Sequence, residues 1–315
     1  MKPDITSRNL NLSSKMKPIW GVAGLMLLLC FGTAQAREKA ETTRFLMSPQ
    51  QLQKLPHDQR VILDTRSRFQ YMWGHVPGAV FAGGWMDYSL DDRERRGQLN
   101  RDKTFLAKKL NAIGASPEKT LVIYGDPKDK WREDGRFFWM FEFLGFKKVY
   151  LLDRGLEGWT AAGLPVERGP GGDSKPGNLT PQDIRFDLDT AADQDWIRQR
   201  LEQTDLAIID NRETDEFHGA TPYGSERGGH IPKARHIDWR DFFDTEGQLK
   251  PVNILTTLLE KHRIRPGMEI VVYCTGGVRS AMAYFVFRTL GYKVRNYDGS
   301  WWDWSHNPAL PVETS

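Results

Sequence analysis

Cysteine is the scarcest chemistry-bearing residue in this 315-residue chain, which has only Cys30 and Cys274. No Cys pair and no His-x-x-x-His spacing is present, so a metal centre is not expected. No Gly-x-x-x-x-Gly-Lys motif is present either, so a nucleotide-binding P-loop is not expected, and no cofactor is implied. Long basic runs are missing: 44 Lys and Arg stand against 41 Asp and Glu, for a net charge of +3. That near balance gives nucleic acid no electrostatic footprint. An apolar run of membrane-spanning length is also lacking. The most prominent one, Ile19 to Phe31, is too short for a stable span.

That run has a different explanation. Lys15 and Lys17 precede it and Ala34-Gln35-Ala36 follows it, the layout of a signal peptide cleaved after Ala36. Residues 1–36 are therefore expected to direct export, to the periplasm if the source is a Gram-negative bacterium. Met16 begins a more ordinary signal, which leaves Met1 or Met16 as the start. Leu29 before Cys30 does not fit a lipoprotein signal. Cleavage leaves Cys274 as the single thiol, so an internal disulfide is excluded and the thiol is either inert or reactive.

What is present is a diverged repeat. Val61-Ile62-Leu63-Asp64-Thr65-Arg66 is matched by Ala207-Ile208-Ile209-Asp210-Asn211-Arg212. Gly74-His75-Val76-Pro77-Gly78-Ala79 is matched by Gly229-His230-Ile231-Pro232-Lys233-Ala234. Leu121 to Tyr124 pairs with Ile270 to Tyr273, and each copy closes on a Trp (Trp159, Trp304) followed by Leu-Pro-Val-Glu. The Asp pair is 146 positions apart, the Tyr pair 149 and the Trp pair 145. Apolar strand patterns alternate with helical stretches, which predicts two α/β domains with mainly parallel sheets flanked by helices. Their expected bounds are 41–167 and 180–315, joined by a Gly- and Pro-rich linker at 168–179. Eleven Trp are read first as core and second as pocket lining.

In the second copy the strand pattern Ile270 to Tyr273 ends at Cys274, and a helical pattern opens at Ser280. Ligands bind at that edge of an α/β sheet. Between them, Thr275-Gly276-Gly277-Val278-Arg279 can curl so that backbone N–H groups converge. Those donors, the helix N-terminus and Arg279 favour negative charge at one point, which stabilises a thiolate. In the first copy Gly125 and Asp126 stand where Cys274 and Thr275 do, so the chain has one such site.

On these motifs the chain resembles the rhodanese family, in the tandem layout of thiosulfate and mercaptopyruvate sulfurtransferases, whose N-terminal copy is inactive. Arg136-Phe-Phe-Trp-Met140 also resembles that inactive domain. The resemblance implies that Cys274 takes a sulfane sulfur from a small anionic donor, holds it as a persulfide, and passes it to a thiol or cyanide acceptor, a protein thiol included. It further implies that the 274–280 loop binds the donor, with Arg227 as a family-like donor contact. The loop itself is closer to the Cys-x-x-Gly-x-Arg-Ser loops of single-domain rhodaneses, so the usual loop rule for choosing the donor does not apply. Arg279 is expected either to contact the donor or to pin the loop through backbone carbonyls. The longer second-copy stretch around Ala220 to Glu226 is expected to cover the pocket. His75, His230 and the Asp64/Arg66 and Asp210/Arg212 pairs are expected to be structural. Two other readings are a non-enzymatic persulfide carrier and a Cys-dependent phosphatase or arsenate reductase. The Cys-x4-Arg spacing is short for the latter.

Overall fold

The computed structural model describes residues 44–171 and 176–314. The expected signal segment, 1–36, lies outside the described residues, as do 41–43 and linker residues 172–175. In the first copy β1 (Leu46–Met47), α1 (Pro49–Lys54), β2 (Arg60–Asp64), α2 (Arg68–Trp73), β3 (Ala79–Phe81), α3 (Lys103–Ala112), β4 (Thr120–Tyr124), α4 (Glu133–Phe143), β5 (Val149–Leu152) and α5 (Gly155–Ala161) follow one another. The second repeats the order with β6 (Ala191–Ala192), α6 (Gln194–Arg198), β7 (Leu206–Asp210), α7 (Thr214–Phe217), β8 (Arg235–His236), α8 (Val252–Lys261), β9 (Glu269–Tyr273), α9 (Arg279–Thr289), β10 (Lys293–Tyr297) and α10 (Ser300–His306).

Each copy builds one five-stranded sheet, ordered β1-β5-β4-β2-β3 and β6-β10-β9-β7-β8. Every strand pair is parallel. The central strands are unbroken apolar runs because helices cover both faces and leave no wet side. All five residues of β2 and of β7 are buried.

The repeated motifs turn out to be one another's partners. Arg66 grips Asp64 and donates to the Gly74 carbonyl at 2.6 Å; Arg212 grips Asp210 and donates to that of Gly229 at 2.7 Å. Tyr124 and Tyr273 hydroxyls accept from the Val76 and Ile231 N–H groups, each at 3.1 Å. His75 and Glu167 exchange backbone hydrogen bonds, as do His230 and Glu313. These bonds tie each Gly-His-x-Pro motif to the Glu of its closing segment. The imidazoles stack on Tyr71 and Phe217 with centroids 4.0 and 3.8 Å apart. Both histidines thus fix a turn, in the copy with a thiol and in the copy without one.

The described residues form one compact unit. The seam between the copies is the α4–α9 pair, which contributes to a single core running through both. Phe138 meets Phe285 edge-on at 5.0 Å. Tyr284 and Arg288 donate to Glu142 at 2.7 and 3.0 Å. Among the described residues no helix is long and apolar enough to cross a membrane, and no group of three or more His, Cys, Asp and Glu is placed to hold a metal ion.

Candidate active site

Cys274 follows the last residue of β9, at the carboxyl edge of the sheet, and its side chain is buried. The chain then turns within four residues into α9. Gly277 makes this turn possible: its φ is +80°, and a Cβ there would strike the Asp298 carbonyl. Gly276 has a different constraint, since a Cβ at that position would run into the Trp302 ring. The Gly277 N–H points back to Cys274 Sγ at 3.2 Å. From the other side, the Ser300 hydroxyl accepts from the Cys274 N–H at 3.1 Å and donates to the Tyr297 carbonyl at 2.7 Å. Ser300 holds a φ of +53° to do so, a left-handed conformation that non-glycine residues adopt at a cost.

Burial alone pushes the Cys274 thiol up. The charge of Arg279 and the loop N–H groups of Ser280 and Gly276 outweigh it, and the thiol titrates below its ordinary range. Arg279 is itself buried. It is held neither by backbone carbonyls nor by solvent but by Glu216, one turn into α7: Nη1 and Nη2 donate to the two carboxylate oxygens at 2.7 and 3.0 Å. Nη2 also reaches Thr275 Oγ1 at 2.6 Å, and the Thr275 hydroxyl donates to Glu216. Burial would lower the Arg279 pKa, but Glu216 holds it above its already high range. Thr275, Arg279 and Glu216 thus form a closed buried network beside the thiol. The Ser280 hydroxyl also donates to Asn296 Oδ1 at 2.7 Å.

Arg227 is not among the residues that line the cavity at Cys274. Its guanidinium donates to the carbonyls of Ser305, Leu310, Trp304 and Asn307 at 2.6 to 3.1 Å. Its own carbonyl accepts from Trp301 Nε1 at 2.9 Å. It satisfies the open carbonyls at the end of α10. Arg227→Ala is expected to lower stability by roughly 1–3 kcal/mol, the usual cost of stranded acceptors, and to leave KM for an anionic donor unchanged. Thermal unfolding beside steady-state kinetics checks both.

The cavity over Cys274 has a volume of about 490 Å³. Thr275, Gly276, Val278 and Arg279 form its floor, and Tyr223 and Gly224 of the longer second-copy loop cover one side. Trp302 joins this side, its Nε1 donating to the Tyr223 carbonyl at 2.9 Å. The remaining wall comes from the first copy: Trp85, Arg96 and Trp131. Trp131 gets there because the first copy's strand-to-helix turn is longer. Tyr124 to the start of α4 takes nine positions, against six from Tyr273 to the start of α9. Behind the loop, Arg136 of α4 ion-pairs with Asp298 and donates to the Gly277 and Gly97 carbonyls at 3.3 and 3.0 Å. The copy without a thiol therefore braces the Cys274 loop and walls its pocket.

Glu216, Ser300, Arg96 and the individual wall residues Trp85, Trp131 and Trp302 were not picked out from the sequence, whereas Arg136 was, as part of the family-like 136–140 motif. Glu216 had one available signal, since it occupies in the second copy the place that Gln70 holds in the first. Gln70 donates to Asp126 at 3.1 Å, so the same two positions are bonded in both copies with the charge moved from the loop to the helix.

The rhodanese-like domain model matches residues 48–162 and 193–307. A thiosulfate sulfurtransferase of Azotobacter vinelandii is 31% identical over 276 residues, covering 85% of this chain and 96% of that protein. A probable 3-mercaptopyruvate sulfurtransferase of Pseudomonas aeruginosa is 32% identical, covering 85% and 98%. A protein of Thermus thermophilus named sulfur carrier protein TtuD is 30% identical, covering 77% and 86%. Among solved structures, YnjE superposes with a TM-score of 0.74 at 25% identity, covering 86% of this chain and 68% of that one. The anaerobic ergothioneine biosynthesis enzyme of Chlorobium limicola gives 0.73 at 21%, covering 87% and 71%, a likeness of fold.

Proposed function

Since this chain belongs to the rhodanese family, as two tandem rhodanese-like domains, and is a sulfurtransferase like its relatives, we propose that Cys274 carries the sulfur as a persulfide. The observation that carries this reading is the thiol's position: it sits at the base of the cavity, with a loop N–H aimed at Sγ and its titration drawn below the ordinary range. The thiolate attacks the outer sulfur of the donor. A bond forms between that sulfur and Sγ, the donor's own bond to it breaks, and the electron pair leaves with sulfite from thiosulfate, or with the enolate of pyruvate from mercaptopyruvate. A nucleophilic acceptor, a thiol or cyanide, then attacks the terminal sulfur and Cys274 departs as thiolate. One hard transfer becomes two easier ones. The inward N–H groups and the N-terminus of α9 hold the anion in both states without reorganising.

The donor is a small anion, thiosulfate or mercaptopyruvate. Side-by-side turnover with the two, using cyanide as acceptor, is expected to give steady catalysis with at least one of them. A mass gain of one sulfur atom on Cys274 without turnover would instead favour a carrier that hands sulfur to a dedicated protein thiol, the reading supported by the likeness to the Thermus protein. Residues 1–36 are proposed as a signal peptide and the protein as exported. Their charged flank, apolar run and Ala34-Gln35-Ala36 support this, and the N-terminal sequence of the mature protein tests it.

A further inference from the structure

We propose that the outer part of the Cys274 cavity is a subsite for the flat, conjugated body of an organic anion, so that the substrate delivering or receiving sulfur here is larger than thiosulfate. This rests on the sulfurtransferase reading above and concerns the substrate class. About 490 Å³ is within the roughly 300–1,000 Å³ range of sites that enclose organic ligands, and a compact inorganic anion beside Sγ fills only its floor. Above the floor the walls are Trp85, Trp131, Tyr223 and Trp302. Their ring planes are set by the protein: Trp131 meets Tyr223 edge-on at 5.2 Å and 74°, and Trp302 is anchored through its indole N–H. Fixed aromatic faces favour a planar partner through stacking.

The sign of the ligand follows from the cations already held against these rings. Arg96 lies 4.2 Å from the Trp302 centroid, and Lys130 lies 4.7 and 5.1 Å from those of Trp131 and Tyr223. An organic cation would meet rings whose attraction for positive charge is spent, next to those same cations. The nearby carboxylates are balanced by arginines: Glu216 and Glu213 face Arg279 at 2.7 and 3.8 Å, and Asp91 reaches Arg96 only at 4.0 Å. An anion gains from Arg96 and from the loop N–H groups at the floor. Two of the four rings, and Arg96, belong to the first copy, so the copy without a thiol supplies the selectivity.

The test is calorimetric titration of the full chain carrying Cys274→Ser with methanesulfonate, benzenesulfonate and benzyltrimethylammonium. Benzenesulfonate is expected to bind about tenfold or more tighter than methanesulfonate, and the aromatic cation no better than methanesulfonate. Trp131→Leu should narrow the gap between the sulfonates to about threefold or less, and Arg96→Gln should weaken both sulfonates while leaving the cation no weaker. Equal affinities, a preference for the cation, or no measurable binding overturns the subsite. This readout needs no thiol chemistry, so it stands apart from a failure of sulfur transfer. Benzenethiosulfonate as donor and 4-mercaptobenzoate as acceptor, each against its aliphatic counterpart, then separate the half-reactions. In the first the Cys274 thiolate takes the outer sulfur and arenesulfinate leaves with the electron pair. In the second the arenethiolate takes the terminal sulfur and the Cys274 thiolate leaves. An aryl preference in either supports the subsite, and none in either overturns it.

Discussion

Cys274→Ser should reduce sulfur transfer by at least about a thousandfold, because removing a nucleophile removes the pathway rather than weakening it. The substitution is nearly isosteric in a buried position, and the Gly277 N–H keeps an acceptor, so unfolding should stay within about 1 kcal/mol of the parent. Mass spectrometry after exposure to donor should show one added sulfur atom on the parent chain and none on the variant. Residual turnover above a few percent in Cys274→Ser would remove this thiol from the mechanism. The lowered titration of Cys274 also sets the pH dependence. The thiolate forms earlier than in a free cysteine at about 8.5, so alkylation of the native chain should reach its plateau at lower pH than in the unfolded chain.

The second large effect is expected at Glu216. It is the counter-charge of Arg279, and both side chains are almost fully buried. Glu216→Gln strands a guanidinium in the core, and breaking a buried pair from one side costs roughly 3–5 kcal/mol. Denaturant unfolding should show this as a lower midpoint with an unchanged slope. The same change should act on the thiol in a direction that general destabilisation does not predict. With the carboxylate gone, the charge of Arg279 falls undivided on Cys274, so the alkylation midpoint should drop to lower pH. Arg279→Gln should move it the opposite way, upward, because it removes the largest favourable charge acting on the thiolate. Midpoints that move together, or not at all, would reduce the network to a packing role.

The contrast between Arg279 and Arg227 shows how far spacing alone reaches. Both lie near the motifs expected to bind an anion. The sequence places one five positions after the thiol and the other three before His230, but it does not say which acceptors they meet. The fold decided that. The second-copy loop carries Arg227 against the end of α10, where four carbonyls face it. The position of α7 sets Glu216 beneath Arg279. Glu216 is 63 positions from Arg279, and its match to Gln70 in the first copy marks the position without saying that an arginine would meet it.

The sequence by itself determined the parts whose causes are local or periodic. Apolar runs ending in Asp64, Tyr124, Asp210 and Tyr273 define the central strands. Near-constant offsets define two copies of one α/β unit, and a Cys followed by a Gly-rich turn defines one reactive site. These follow from strand burial, from the repeat and from the backbone freedom of glycine, all of which act over a few residues. Only the tertiary structure decided what surrounds the thiol. Trp85, Arg96 and Trp131 come from the other copy, Glu216 and Ser300 from α7 and α10, and Arg136 from across the α4–α9 seam. Their roles depend on distances between segments far apart in the chain, set by how two sheets and one shared core pack together.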